Sequence, residues 1–228
     1  MRTRRSEMKR GLTVALALML IGLFACDSSV KKTYWENGAL KSELRYDGEK
    51  LDGLCVWYFP NGKPQMEVNY TDNKMNGLLR RWHENGFLME ECWYKDGVQD
   101  SLSRTYSLNG SLASESYYTD GKLNGDFKRW YENGQVFQEG QYVDDLMDGS
   151  WLIFYPEGNL AAQARFDRGS GTQVSYERSG YKCLVTNYVD NVKHGKEVYY
   201  NPDGSVTRVA YYEYGDWIRD GELDEAEN

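Results

Sequence analysis

Residues 118–142 read YTDGKLNGDFKRWYENGQVFQEGQY, and the fold is decided there. Two short runs rich in β-formers, Asp126–Tyr131 and Gln135–Tyr142, flank Glu132-Asn133-Gly134, the pattern of a β-hairpin. The turn recurs at Gly38, Gly62, Gly86, Gly110, Gly134, Gly158, Gly180 and Gly204, in steps of 24 residues except for 22 between Gly158 and Gly180. Four residues before each glycine stands a leading ring: Tyr34, Tyr58, Trp82, Tyr106, Trp130, Phe154, Tyr176 and Tyr200. Eight residues after it stands a trailing ring: Tyr46, Tyr70, Tyr94, Tyr118, Tyr142, Phe166, Tyr188 and Tyr212. A fixed period of this length marks an array of like units, none of which is stable alone. The chain is therefore expected to be all-β: an elongated array of about eight antiparallel hairpins forming one twisted sheet over residues 34–221.

The turn chemistry sets the register. Pro60-Asn61-Gly62, Pro156-Glu157-Gly158 and Pro202-Asp203-Gly204 place proline where a type I turn needs φ near −65°. An Asn-Gly two-residue loop would leave that proline in the ladder without an N–H. A three-residue loop follows, a type I turn closed by a left-handed glycine. Each leading ring then faces the residue two after the glycine (Leu40, Leu88, Leu112, Val136, Leu160 and Val206 in six repeats). Strict alternation puts both ring sets on one face. Glu43, Glu67, Glu91, Glu115 and Glu139, five after the glycine, are expected on the other, with Arg81 and Arg129 as neighbours. Trp35, Phe59, His83, Tyr131 and Tyr155, three before the glycine, are expected beside the glutamates as anchoring rings for a partner.

A second turn joins successive hairpins, as in Asp120-Gly121-Lys122-Leu123-Asn124-Gly125. Asp100-Ser101 interrupts its glycine pattern, and the short Asp167-Arg168-Gly169-Ser170-Gly171 stretch marks the place to expect a kink or a mobile point. The acidic end, with an acidic tail at 222–228, is expected to cap the last edge or to fray.

The N-terminus has a different character. Arg2, Arg4, Arg5, Lys9 and Arg10 precede GLTVALALMLIGLFA at 11–25, a basic region before a short apolar core, so residues 1–25 read as a helical signal peptide. Leu23-Phe24-Ala25-Cys26 resembles the lipobox of bacterial lipoproteins, which implies cleavage before Cys26, its lipidation, a linker at 26–33 and an exported chain held on a bacterial membrane, facing periplasm or surface. Losing residues 1–25 removes five bases and one acid and takes the formal charge from −8 to about −12. So acidic a chain does not suit nucleic acid or anionic headgroups; a basic protein is the partner its field would attract.

Tyr118-x-x-Gly121-Lys122-Leu123-Asn124-Gly125-x4-Trp130-Tyr131-Glu132-Asn133-Gly134 resembles a MORN repeat, and more narrowly the bacterial variant of YwqK-family antitoxin proteins; Tyr46-Asp47-Gly48-Glu49-Lys50-Leu51-Asp52-Gly53 through Asn61-Gly62 matches equally. The resemblance implies a hairpin array that binds other molecules, a toxin in the most specific version.

Catalytic chemistry finds no constellation. His83 and His194 are the only histidines and lie far apart in the array. Cys55, Cys92 and Cys183 form no metal-binding spacing and read as small buried strand residues. No phosphate-binding or metalloprotease motif occurs, so no cofactor or metal is expected. The sequence reads as an exported non-enzymatic scaffold for a protein partner, with a structural or glycan-binding envelope module as the alternative; its oligomeric state is left open.

Overall fold

A computed structural model describes residues 28–227; the expected signal helix and Cys26 lie outside the described residues. The described chain is a single open antiparallel sheet of 18 strands. Each strand pairs with its sequence neighbours, from Ser28–Tyr34 at one edge to Asp216–Gly221 at the other. Lys50–Leu51 and Gly53–Tyr58 are one strand broken at Asp52, and Asp216–Gly221 adds a strand beyond the eighth hairpin. The first strand starts at Ser28, within the stretch read as linker. At ~4.8 Å per strand the sheet runs about 80 Å.

All eight hairpins have the three-residue loop. In the first, Trp35 N–H donates to the Ala39 carbonyl (2.8 Å) and Gly38 N–H to the Trp35 carbonyl (2.9 Å), a type I turn closed by Gly38 at φ 82°. The same two bonds recur through to Asn201–Ser205 and Gly204–Asn201. Every leading ring faces the residue two after its glycine, from Tyr34–Leu40 to Tyr200–Val206.

One residue further on, the expectation fails. Tyr34 faces Leu40, but Thr33 faces Ser42, and Lys41 is left as a β-bulge; the same shift recurs in every hairpin. Because side chains alternate, one inserted residue turns the rest of the strand over. The two ring sets therefore lie on opposite faces, not on one. Tyr106, a leading ring, donates its hydroxyl to Glu91 (3.0 Å), so leading rings and glutamates share a face. The trailing rings Tyr70 and Tyr94 pack with Val68, Leu79 and Cys92 on the other, the core face.

Cys55, Val68 and Leu79 on the core face are 0% exposed. A flat single layer cannot bury side chains fully, so the bulged strands must curl toward this face. Rings continue the core: Phe127–Tyr142 centroids lie 5.3 Å apart and Tyr142–Trp151 4.9 Å, both edge-on. A Cβ on Gly140 would fall 2.2 Å from the Trp151 ring, which explains a glycine in mid-strand.

At the opposite ends of the strands the hairpins are joined by tight turns with two left-handed residues, such as Asp72-Asn73 (φ 51° and 66°) and Arg168-Gly169 (φ 45° and 80°). Ser101 (φ 73°) takes the left-handed place that Gly53, Gly77, Gly125 and Gly149 hold elsewhere, so the broken glycine pattern is accommodated without losing the turn. The 22-residue repeat makes an unshifted ladder from Ala162–Ser175 to Asp167–Ser170; the two missing residues belong to the wide bulge that other repeats carry, as between Val68–Leu79 and Tyr70–Met75. Asn191 spans this short turn, donating its N–H to Gly169 (2.9 Å) while its side chain bonds Met147 N–H and the Asp145 carbonyl (2.9 Å each).

The acidic end neither frays nor caps the edge alone. Asp216–Gly221 is a strand, and the 3-10 helix Leu223–Glu227 folds back on the Val206–Glu213 strand beside Val209, where Lys196 Nζ donates to the Glu225 and Ala226 carbonyls (2.9 Å each).

Two glycines separate backbone strain from packing. A Cβ on Gly169 (φ 80°) would meet Asn191 N at 2.9 Å, whereas Gly204 (φ 85°) has nothing within 4 Å. Urea denaturation should therefore show Gly169→Ala costing about 2–5 kcal/mol and Gly204→Ala only about 1–2.

Candidate interaction surfaces

The bulge brings the residue six before each glycine opposite the residue five after it, and so builds a charge ladder across the glutamate face. Lys32 meets Glu43 (3.1 Å), Arg80 meets Glu67 (3.0 Å), Arg104 meets Glu115 (2.8 Å) and Lys128 meets Glu139 (2.8 Å); Glu91 lies between Arg104 (3.6 Å) and Arg80 (3.8 Å). All five predicted glutamates share one face, as expected, but their partners are not Arg81 and Arg129. Those two lie on the core face, where Arg81 meets Glu90 (3.2 Å) and Arg129 stacks on Phe137 (5.1 Å). The row is balanced rather than a free acidic stripe. Beyond Glu139 it becomes apolar through Leu152, Val174, Val185, Val198 and Val209, interrupted by Gln163.

Beside the charged half of the ladder, on the same face, Leu54 (38% exposed), Trp93 (47%) and Tyr117 (38%) stand open to solvent. Trp93 faces Leu78 and Tyr117 faces Leu102 across their hairpins, so the open side chains continue an apolar row. The periodicity does not single these two rings out, because their position seven after the glycine holds Arg45, Asn69 or Gln141 in other repeats.

Trp35, Phe59, His83, Tyr131 and Tyr155 lie on the core face, opposite the glutamates. The bulge is again the reason. Four of them tie each hairpin to the next at the carbonyl of its leading ring: Trp35 Nε1 to Tyr58 (3.0 Å), His83 Nε2 to Tyr106 (3.2 Å), Tyr131 Oη to Phe154 (2.8 Å) and Tyr155 Oη to Tyr176 (2.8 Å). Phe59 and His83 meet in an open groove of about 430 Å³ with Trp57, Met66, Arg81 and Met89.

The remaining reactive groups are held in packing. Cys55 and Cys92 are buried, and burial, reinforced by Glu90, pushes the Cys92 thiol up to about 12, far from thiolate nucleophilicity. Glu197 is the one fully buried acid among the described residues: it accepts from Thr186 Oγ1 (2.9 Å), Lys193 Nζ (2.6 Å) and Tyr199 Oη (2.8 Å). Burial drives its carboxyl upward, but these donors and the Lys193 charge outweigh burial and hold it below the usual range. Among the described residues no group of acids, histidines and cysteines is placed to hold a metal.

Four stretches of the chain, residues 30–47, 51–72, 123–144 and 147–168, match the family model of the MORN repeat variant. No curated protein matches the chain. Among solved structures, a chain in the crystal structure of TcdB2-TccC3-Cdc42 aligns at 11% identity and a TM-score of 0.24, over 87% of this chain and 14% of that one.

The Glu197 cluster has a pH signature. A carboxyl depressed by folding stabilises the fold above its unfolded value and loses that contribution as pH falls through the folded one. Stability should therefore drop as pH is lowered from above about 4.5. Glu197→Gln should be less stable at pH 7 and lose less on acidification, as read from urea midpoints across pH.

Proposed function

We propose that this chain is a non-enzymatic repeat scaffold that binds a protein partner while anchored to a bacterial membrane through a lipid on Cys26, with an antitoxin- or immunity-like partner as its most specific form. The observation that carries the reading is the open pair of rings Trp93 and Tyr117, with Leu54 exposed on the same face, beside the ion-paired ladder. Large rings next to arginines are the composition of binding hot spots, and isolated apolar residues become informative when they gather on one face. The MORN-variant repeats support a binding array, and the acidic balance of the chain favours a partner with basic surface. Because each glutamate already has a basic neighbour, the ladder fixes register and the rings supply the affinity.

The contact face is tested by affinity capture from the source cells with wild-type protein and with Trp93→Ala/Tyr117→Ala. The partner bound by wild type should be lost from the double variant, each truncation costing about 1–3 kcal/mol of binding; equal recovery on both would overturn this face. Cys26→Ala should move the protein from the membrane to the soluble fraction, and unchanged membrane recovery would remove the lipid anchor.

A further inference from the structure

Among the described residues the bonds that tie successive turns together are missing at two junctions, Gly110–Gly134 and Gly180–Gly204; in the second Glu177, a carboxylate, holds the ring position. Between the Gly86 and Gly110 hairpins, His83 bonds the Tyr106 carbonyl and Asn85 Nδ2 donates to the Leu108 carbonyl (2.8 Å). Between the Gly134 and Gly158 hairpins, Tyr131 bonds the Phe154 carbonyl and Asn133 Nδ2 the Pro156 carbonyl (2.9 Å). Between them, at the Gly110–Gly134 junction, the ring position holds Ser107, too short to cross, and among the described residues no side chain donates to the Trp130 carbonyl. A groove of about 530 Å³ opens there, lined by Thr105, Ser107, Ala113, Ser114, Arg129 and Trp130, with Phe127 at its floor.

The array shows what belongs in such a space. In four sister junctions it is filled by an aromatic ring (Trp35, His83, Tyr131 or Tyr155) that bonds the carbonyl of the next leading ring. It also shows what belongs on the arginine. Two hairpins earlier, Arg81 faces Glu90 across the strand pair and bonds its carboxylate; Arg129 faces Gln138, and its guanidinium, held over Phe137, has no carboxylate among the described residues. An aromatic hydrogen-bond donor and a nearby carboxylate are together absent from this one site. Guanidinium and carboxylate form the stronger class of hydrogen bond.

We infer that the groove between the Gly110 and Gly134 hairpins accepts a tyrosine side chain of a partner protein with an acidic residue beside it in sequence, the phenol donating to the Trp130 carbonyl and the carboxylate bonding Arg129. The inference adds to the protein-binding reading a second contact on the opposite face, and does not depend on Trp93 or Tyr117.

The test uses the full chain and the dipeptide acetyl-Glu-Tyr-amide, with acetyl-Glu-Phe-amide and acetyl-Gln-Tyr-amide as controls, followed by NMR titration. Saturable binding is expected, about tenfold weaker for either control, which lacks the phenol donor or the charge. Ser107→Tyr, which supplies the missing ring from within, should abolish peptide binding and raise Tm; Arg129→Gln should erase the preference for Glu over Gln. No saturable binding by the wild-type chain, or binding unchanged in Ser107→Tyr, would overturn the inference. Self-association of wild-type protein without peptide, lost in Ser107→Tyr, would assign the groove to a second copy and equally overturn it. Loss of the partner from Trp93→Ala/Tyr117→Ala with no dipeptide binding would overturn this site alone, whereas equal partner recovery with dipeptide binding intact would overturn the opposite face alone.

Discussion

One inserted residue per hairpin governs this molecule. Alternation along a strand leaves no freedom: once the residue three after the glycine bulges out, everything beyond it changes sides. The core face receives the trailing rings with Val68, Leu79 and Cys92, and the glutamate face receives the leading rings and the charges. Sixteen rings on one side would have created an apolar face that demanded a second layer. Divided between two faces, they let a single layer stand, one side curled into a core and the other balanced by ion pairs.

The second constraint is coupling between repeats, since one hairpin has too little core to fold alone. Asparagine before the turn glycine does two jobs. Asn37 Oδ1 accepts from Ala39 N–H (3.0 Å) to brace its own turn, while Nδ2 donates to the Pro60 carbonyl (2.9 Å) of the next. An amide carries the acceptor for the first bond and the donor for the second on two separate atoms. Among the described residues the Gly204 hairpin is followed by no further turn of this kind, and there Asp203, an acceptor only, braces Ser205 N–H (2.9 Å).

The turns were legible because their residues carry a backbone requirement: Pro60 fixes φ, Gly62 supplies the left-handed one, and together they dictate loop length and the first pair of the ladder. The bulge was not legible in this way. Its residues, among them Lys41, Met89, Phe137 and Cys183, share no chemistry, because any residue can stand unpaired in a ladder. A sign was nonetheless present. Without a bulge the residue six before the glycine faces the residue four after it; the bases Lys32, Arg80, Arg104 and Lys128 match acids at five after. Charge complementarity across the hairpin thus encoded a shift of one residue. The Ser107 groove was illegible for another reason: a serine in a variable ring position becomes informative only when the neighbouring hydrogen bonds are seen.

Repetition fixes the scaffold and leaves function to the departures from it. Along the glutamate face the central row is charged as far as Glu139 and largely apolar afterwards, and Leu223–Glu227 packs back on the strand that ends it, beside Val209. The open rings Trp93 and Tyr117 lie in the charged half, which no such segment covers among the described residues. That half also begins the sheet: strand pairing starts at Ser28, two residues after Cys26. An acyl chain on Cys26 would leave at most about 7 Å of backbone between lipid and ladder. On the proposed anchor so short a tether would hold the first hairpin near the bilayer surface, and the contact rings lie within the first half of an array about 80 Å long.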